Sequence, residues 1–199
     1  REENAACRDG ILTISSWHHP EGLANPDAAK ALANPKCNGS ETELIPEWCT
    51  RKTRRIHYTS SSLISRSTRS APLALGQYDA RIRFATEANS WPAWWAVGAR
   101  GDGTAAAWPQ DGEVDILEYH QMDGVGKLFN GVAWTMSSPE DHETVLWLPH
   151  KGEGLPPEVS PDMSAGSGWS TRFHEYSMVW SRCCMDFFLD SKHIAHVEL

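Results

Sequence analysis

The sequence predicts an all-β protein, two antiparallel sheets packed as a sandwich, on three observations. Short runs alternate apolar and polar side chains with the period of two that a half-buried strand needs. Turn signals containing Gly, Pro, Asn or Asp separate those runs. Helical periodicity is confined to one short segment, 27–33, stopped by Asn34 and Pro35. With 199 residues the chain is long enough to bury one sizeable core, so a single domain over 1–199 is the natural organisation.

In chain order, Ile11, Leu12 and Ile14 follow an Asp9-Gly10 turn signal and read as an early strand. From 17 to 48 the pattern dissolves into Pro, Asn and Gly, which reads as a surface excursion. His18 and His19 open it, and adjacent His residues without spaced partners read as exposed groups, not as a metal site. Strand patterning returns at 57–65 and at 77–85, where Tyr78, Ala80, Ile82 and Phe84 alternate with Gln77, Asp79, Arg81 and Arg83. Segment 127–134 reads as a strand that pairs with the one before it through a turn at Asp123 and Gly124. Segment 137–170, rich in Pro and Gly, reads as long loops. Segments 173–180 and 185–189 finish as two strands joined near Ser181 and Arg182.

The chemistry concentrates in 111–120, DGEVDILEYH. Val114, Ile116, Leu117 and Tyr119 favour a strand entered from a turn at Asp111 and Gly112. Glu113 and Asp115, two apart, share one face. Glu118 is an odd number of residues from Glu113, so a regular strand would bury it among apolar side chains, where an unpaired carboxylate is costly. A one-residue bulge near Ile116 and Leu117 returns it to the acidic face. Glu113 and Glu118 then stand about 13 Å apart at Cα, at roughly 3.3 Å per residue. Side chains leaning together could close this to the roughly 5–5.5 Å of paired carboxylates that cleave a glycosidic bond with retention. Trp91, Trp94, Trp95 and Trp108 lead into these acids, and an aromatic-lined acidic cleft suits a sugar polymer.

Ten tryptophans against five phenylalanines fit the same reading, although core positions also account for Trp. A net charge of −8 disfavours a phosphate-backbone partner and, less firmly, a strongly anionic polysaccharide. No apolar run approaches the roughly 20 residues of a membrane span. Cys7, Cys37, Cys49, Cys183 and Cys184 make an odd count and match no zinc spacing. Cys37 and Cys49 flank a loop and are a candidate pair. An Asn38-Gly39-Ser40 sequon hints at secretion.

WPAWWAVG and WPQDGEVDILEY resemble glycoside hydrolase family 16, and four further segments resemble it in order: 4–14, 58–84, 126–134 and 173–190. Together they span nearly the whole chain. The resemblance implies a curved, concanavalin A-like jelly roll and a retaining endo-β-glycosidase. Glu113 would be the nucleophile, Glu118 the general acid and base, and Asp115 the partner that tunes the nucleophile. Trp108 is the expected stacking platform at the cleavage point, with Trp91 and Trp134 as further platforms, Arg81 as a donor to sugar hydroxyls and His120 at the cleft rim. The bulged motif points to the branch of β-1,3-glucanases, agarases and carrageenases; mild acidity favours a neutral β-glucan, with an agar-type galactan next. Catalysis needs no cofactor on this reading and no metal ligands are assigned; the resemblance leaves room for a structural calcium held by the termini, which the sequence does not place. Relative to the family, terminal strands are expected to be missing at both ends. A polysaccharide partner, no nucleic acid or membrane partner, a monomer, and an extracellular or periplasmic location complete the expectation.

Two rival readings use the same residues. A non-catalytic carbohydrate-binding sandwich needs neither the carboxylate pair nor its spacing. A metal hydrolase built on Asp115, Glu118 and His120 lacks a further spaced His.

Overall fold

The computed structural model describes residues 4–25, 55–64, 75–88, 90–98, 108–122, 125–138, 141–148, 154–164 and 166–199. The helical candidate at 27–33, Cys37, Cys49 and the Asn38 sequon lie outside the described residues. The chain forms two compact units, Arg1–Thr68 and Arg69–Leu199.

In the first unit, the strand read after Asp9 and Gly10 is present as β2 (Ile11–Ile14), and the turn joins it in a hairpin to β1 (Ala5–Arg8), which the sequence reading did not include. Both turn residues have positive φ, 51° and 75°, the arrangement that matches the twist of a two-residue hairpin. β3 (Trp17–Leu23) pairs with β4 (Ile56–Thr59), which corrects the irregular reading of that stretch. Pro20 and Gly22, the latter at φ 66°, imitate a turn, and pairing is interrupted between His18 and Leu23. Asn4, 1% exposed, ties the two hairpins: its amide donates to the carbonyls of Ser15 at 2.9 Å and Thr59 at 3.2 Å. Tyr58 is exposed and stacks on His18.

The second unit is the sandwich. One antiparallel sheet has the order β6-β7-β8-β9, from Ala93–Val97, Glu113–Met122, Val125–Ser138 and Asp141–Leu148. The other has the order β12-β11-β10-β5, from Lys192–Glu198, Cys184–Leu189, His174–Trp180 and Gly76–Ile82. Their inner faces meet in one core, with Ile116, Leu117, Tyr119, Leu128 and Val132 facing Tyr176, Met178, Met185, Phe187, Leu189 and Val197. Burying a side chain such as Phe187 or Leu117 contributes roughly 1.5–3 kcal/mol. This burial makes the strand alternation obligatory: a one-residue slip would turn each inner face outward.

Three strands of this unit, β6, β9 and β12, were not read from the sequence. β9 lies within the segment read as loops; β8 runs on to Ser138, which pairs with Asp141. β12 follows a turn at Asp190 and Ser191, both at positive φ (48° and 66°). Asp-Ser is a weak hairpin signal beside Asn-Gly. The described residues of 154–171 are largely irregular, as expected, and lay Leu155, Met163 and Trp169 onto the core. No helix among the described residues is long and apolar enough to cross a membrane.

Candidate active site

β7 is the strand of the acids, and a turn delivers it. Gly112 sits at φ 80° and its N–H donates to the carbonyl of Pro109 at 3.0 Å. Its own carbonyl accepts the N–H of Gly98 at 3.0 Å. Gly98 has to be glycine there, because a Cβ would lie 1.8 Å from the Asp111 carbonyl oxygen.

The expected bulge is present. On the β8 side, Asp115 opposes Gly131 and Glu118 opposes Phe129. On the β6 side, Asp115 opposes Trp95, Leu117 opposes Trp94 and Glu118 opposes Ala93. One extra residue of β7 is therefore absorbed against both neighbours, and Ile116 and Leu117 are both buried, at 4% and 2% exposure. Glu113 opposes Ala133, so the two glutamates are four partner positions apart, about 13 Å at roughly 3.3 Å per residue. Glu113, Asp115 and Glu118 share the outer face of the sheet.

Their environments differ. Asp115 is 5% exposed. Burial, then the charges of Glu113 and Glu118 and a hydrogen bond with Glu113, push its carboxyl up to about 8. Near neutral pH it therefore holds its proton while the flanking glutamates face the open side. Each glutamate also receives an indole N–H: Trp91 Nε1 donates to Glu118 Oε1 at 2.7 Å, and Trp108 Nε1 donates to Glu113 Oε2. Both rings are more than half exposed, at 66% and 54%, which leaves their faces to solvent. His120 stacks on Phe129, with centroids 4.2 Å apart and planes at 3°, and meets the Trp91 ring at 5.1 Å. It braces the tryptophan that holds Glu118.

Two expected substrate residues are elsewhere. Trp134 follows Ala133, the partner of Glu113, so alternation turns it to the inner face, where it packs against the core. Arg81 is on the outer, polar face of β5 in the opposite sheet, opposite Glu175 and with its guanidinium 6.0 Å from the Phe173 ring. Alternation within one strand reveals which residues share a face, but not which sheet that strand joins. Phe129 was missed, and Trp95, read only as one of the aromatics leading into the acids, opposes Asp115, is 48% exposed and adds a third tryptophan to the acidic face. The Trp94-Trp95 pair signalled that one ring points each way; only the register decides which.

No family model matches the chain. Among curated proteins it is similar to a beta-glucanase from Rhodothermus marinus, 36% identical over 62 residues, 31% of this chain and 21% of that protein. Among solved structures, one from a study of endo-acting O-glycanases of the human gut microbiota superposes with a TM-score of 0.63 at 20% identity, covering 100% of this chain and 58% of that one. The kappa-carrageenase from Pseudoalteromonas carrageenovora gives 0.60 at 16% identity, covering 100% and 64%. The fold is the antiparallel jelly-roll sandwich that these solved structures share. The laminarinase from Rhodothermus marinus shares this fold, with a TM-score of 0.56 at 20% identity over 100% of this chain and 59% of that one. The chain thus spans less than two thirds of the length of each of these proteins.

Proposed function

We propose that the chain is the site-bearing part of a retaining endo-β-glycosidase, acting as a monomer on a neutral β-glucan, with a β-1,3-glucan as the preferred substrate. The observation that carries the reading is the buried Asp115 set across a bulge between two half-buried glutamates that share its face, each holding an indole N–H. A solvated acidic face or a passive sugar binder has no need of that arrangement.

In the proposed reaction the Glu113 carboxylate attacks the anomeric carbon while Glu118 gives its proton to the departing glycosidic oxygen. The resulting glycosyl ester on Glu113 is then hydrolysed by a water that Glu118, now a base, deprotonates. Asp115 supplies a proton to its hydrogen bond with Glu113, which orients the nucleophile and adds no further negative charge beside it. Trp108 and Trp91 each fix one carboxylate oxygen and offer an exposed ring face to a pyranose. Two displacements return the β configuration.

The substrate class rests on the net charge of −8, which disfavours sulfated galactans, and on similarity to a beta-glucanase and to laminarinases. A polymer substrate implies export, and secretion is part of the proposal. Turnover of laminarin, mixed-linkage glucan, agarose and κ-carrageenan tests it, with proton NMR of the first product. Release of reducing ends as the β anomer, fastest from laminarin, is the expected result. The α anomer would overturn the nucleophile assignment, and preference for agarose would move the substrate to galactan.

A further inference from the structure

The outer face of β11 and β12 carries a second group of reactive side chains, remote in the fold from the acids. Cys184 and Asp186 are two apart on β11 and share a face, while Met185, Phe187 and Leu189 point into the core. Across the hairpin Asp186 opposes His196, and Cys184 opposes Glu198. Phe187 opposes Ala195 but Phe188 opposes His193, so Ile194 is an extra residue on β12. Ile194 and Ala195 are both buried. His193 and His196 are three apart and would face opposite sides of a regular strand; the bulge brings both to the outer face.

The ligand atoms converge. His196 Nδ1 and His193 Nε2 lie 2.8 Å and 2.9 Å from the same oxygen, Asp186 Oδ1. Cys184 Sγ is 3.9 Å from Asp186 Oδ2. One donor atom each from Cys184, Asp186 and His196 falls within 4.8 Å of the others. Cys183 Sγ is 3.2 Å from Cys184 Sγ, and the Ser181 hydroxyl lies 3.1 Å from Cys184 Sγ.

Two imidazoles on one surface carboxylate could be ordinary ion pairs, which contribute little in water. A thiol closing the same cluster adds nothing to such pairs, but it completes a donor set of one sulfur, two nitrogens and one carboxylate. Calcium and magnesium take oxygen ligands and have no use for a thiolate or imidazoles. Zinc accepts this mixture in tetrahedral geometry, with bonds of about 2.0–2.3 Å. Three of the donor atoms already stand at separations that small side-chain rotations convert into such a shell.

We propose that Cys184, Asp186, His193 and His196 bind one Zn²⁺. Four protein ligands leave no open position, so the ion is structural: it fastens β12 to β11 and holds the adjoining β10–β11 turn. It stands on the outer face of one sheet, whereas Glu113 and Glu118 occupy the outer face of the other, and it takes no part in the glycosidic chemistry.

The test uses the full 199-residue chain, reduced and stripped with a chelator. It is titrated with Zn²⁺ against a competing zinc-binding dye, and separately with Co²⁺. One equivalent of Zn²⁺ is expected, and Co²⁺ should produce a thiolate charge-transfer band in the near ultraviolet with strong visible bands of a tetrahedral ion. Loss of an outer-shell partner alone typically weakens metal binding ~10–100-fold. Cys184→Ser should weaken Zn²⁺ binding by at least that much and abolish the charge-transfer band, whereas Cys183→Ser should keep both. His196→Asn, on the exposed face, should weaken binding while retaining the band; it is the second reading should Cys184→Ser fail to fold by circular dichroism. No stoichiometric zinc, or a charge-transfer band that survives Cys184→Ser and depends on Cys7, Cys37 or Cys49, would overturn the proposal.

Discussion

β7 and β12 use the same backbone device for opposite electrostatic ends. Each strand takes in one extra residue, buries two consecutive apolar side chains (Ile116 with Leu117, Ile194 with Ala195) and so returns the next functional group to the face it would otherwise leave. The surroundings make the difference. β7 lies inside its sheet, with paired strands on both sides, and the carboxyl beside its bulge is buried among other carboxylates. β12 is the outermost strand of its sheet among the described residues, and the carboxylate it faces, Asp186, is more open and receives hydrogen bonds from His196 and His193, which hold it below the usual carboxylate range. Burial among like charges keeps a proton on Asp115, whereas exposure among imidazoles keeps Asp186 ionised. A bulge decides where a side chain points; its neighbours decide its charge.

The largest expected effect separates the two faces chemically. Glu113→Gln and Glu118→Gln each remove one role at unchanged size and should cut turnover of laminarin by about 10³-fold or more, since general acid–base catalysis alone is worth roughly 10²–10⁴-fold. Chelation of the zinc-loaded chain, assayed well below its melting temperature, should leave the same turnover unchanged. If chelation silences that turnover, or either glutamine variant retains near wild-type rates, the division of labour between the faces fails.

Next comes the proton on Asp115. Its carboxyl, ordinarily at 3.8, is raised to about 8 in the folded chain, so between those values the folded state binds the proton and the unfolded state does not. Its contribution to stability is complete below about pH 4 and declines as pH rises to about 8, with a slope of at most about 1.4 kcal/mol per pH unit. Denaturant unfolding of wild type and Asp115→Asn at pH 4 to 8 should show a flatter profile for the variant. Parallel profiles would mean that Asp115 gives up its proton as an ordinary carboxyl does and that the contrast with Asp186 is lost.

Zinc supplies the third measurement. At a free concentration 100 times the dissociation constant, a ligand bound only by the folded state adds about 2.7 kcal/mol, which for a chain of this size is a rise in Tm of roughly 5–10 °C. Differential scanning calorimetry of the metal-free and zinc-loaded chain reads it, and an unchanged Tm at saturation would remove the stabilising role assigned to β12. The smallest effect concerns the indole donors. Trp91→Phe keeps a ring against His120 but deletes the N–H to Glu118; a hydrogen bond to a charged group is worth roughly 1.5–3 kcal/mol, so kcat should fall about tenfold or somewhat more with little change in Tm. A wild-type kcat would show that Glu118 needs no donor from Trp91.

The sequence by itself determined the all-β class, the acidic face of β7 and the bulge at Ile116 and Leu117. That bulge was legible because the alternative, Glu118 buried without a partner, is too costly to tolerate. Conflict between a period-two pattern and a charged side chain is a local signal, and local signals survive in sequence. β12 offered no such conflict: an imidazole at 193 or 196 is acceptable on either face, so its bulge, and the meeting of Cys184, Asp186 and the two histidines, became visible only through pairing with β11. Trp134 and Arg81 failed for the related reason that strand alternation is blind to sheet membership and to which face is covered. The tertiary structure decided those questions by pairing strands distant in sequence and burying one face of each sheet, so that the residue opposite Asp115 is Trp95 and the residue opposite Asp186 is His196.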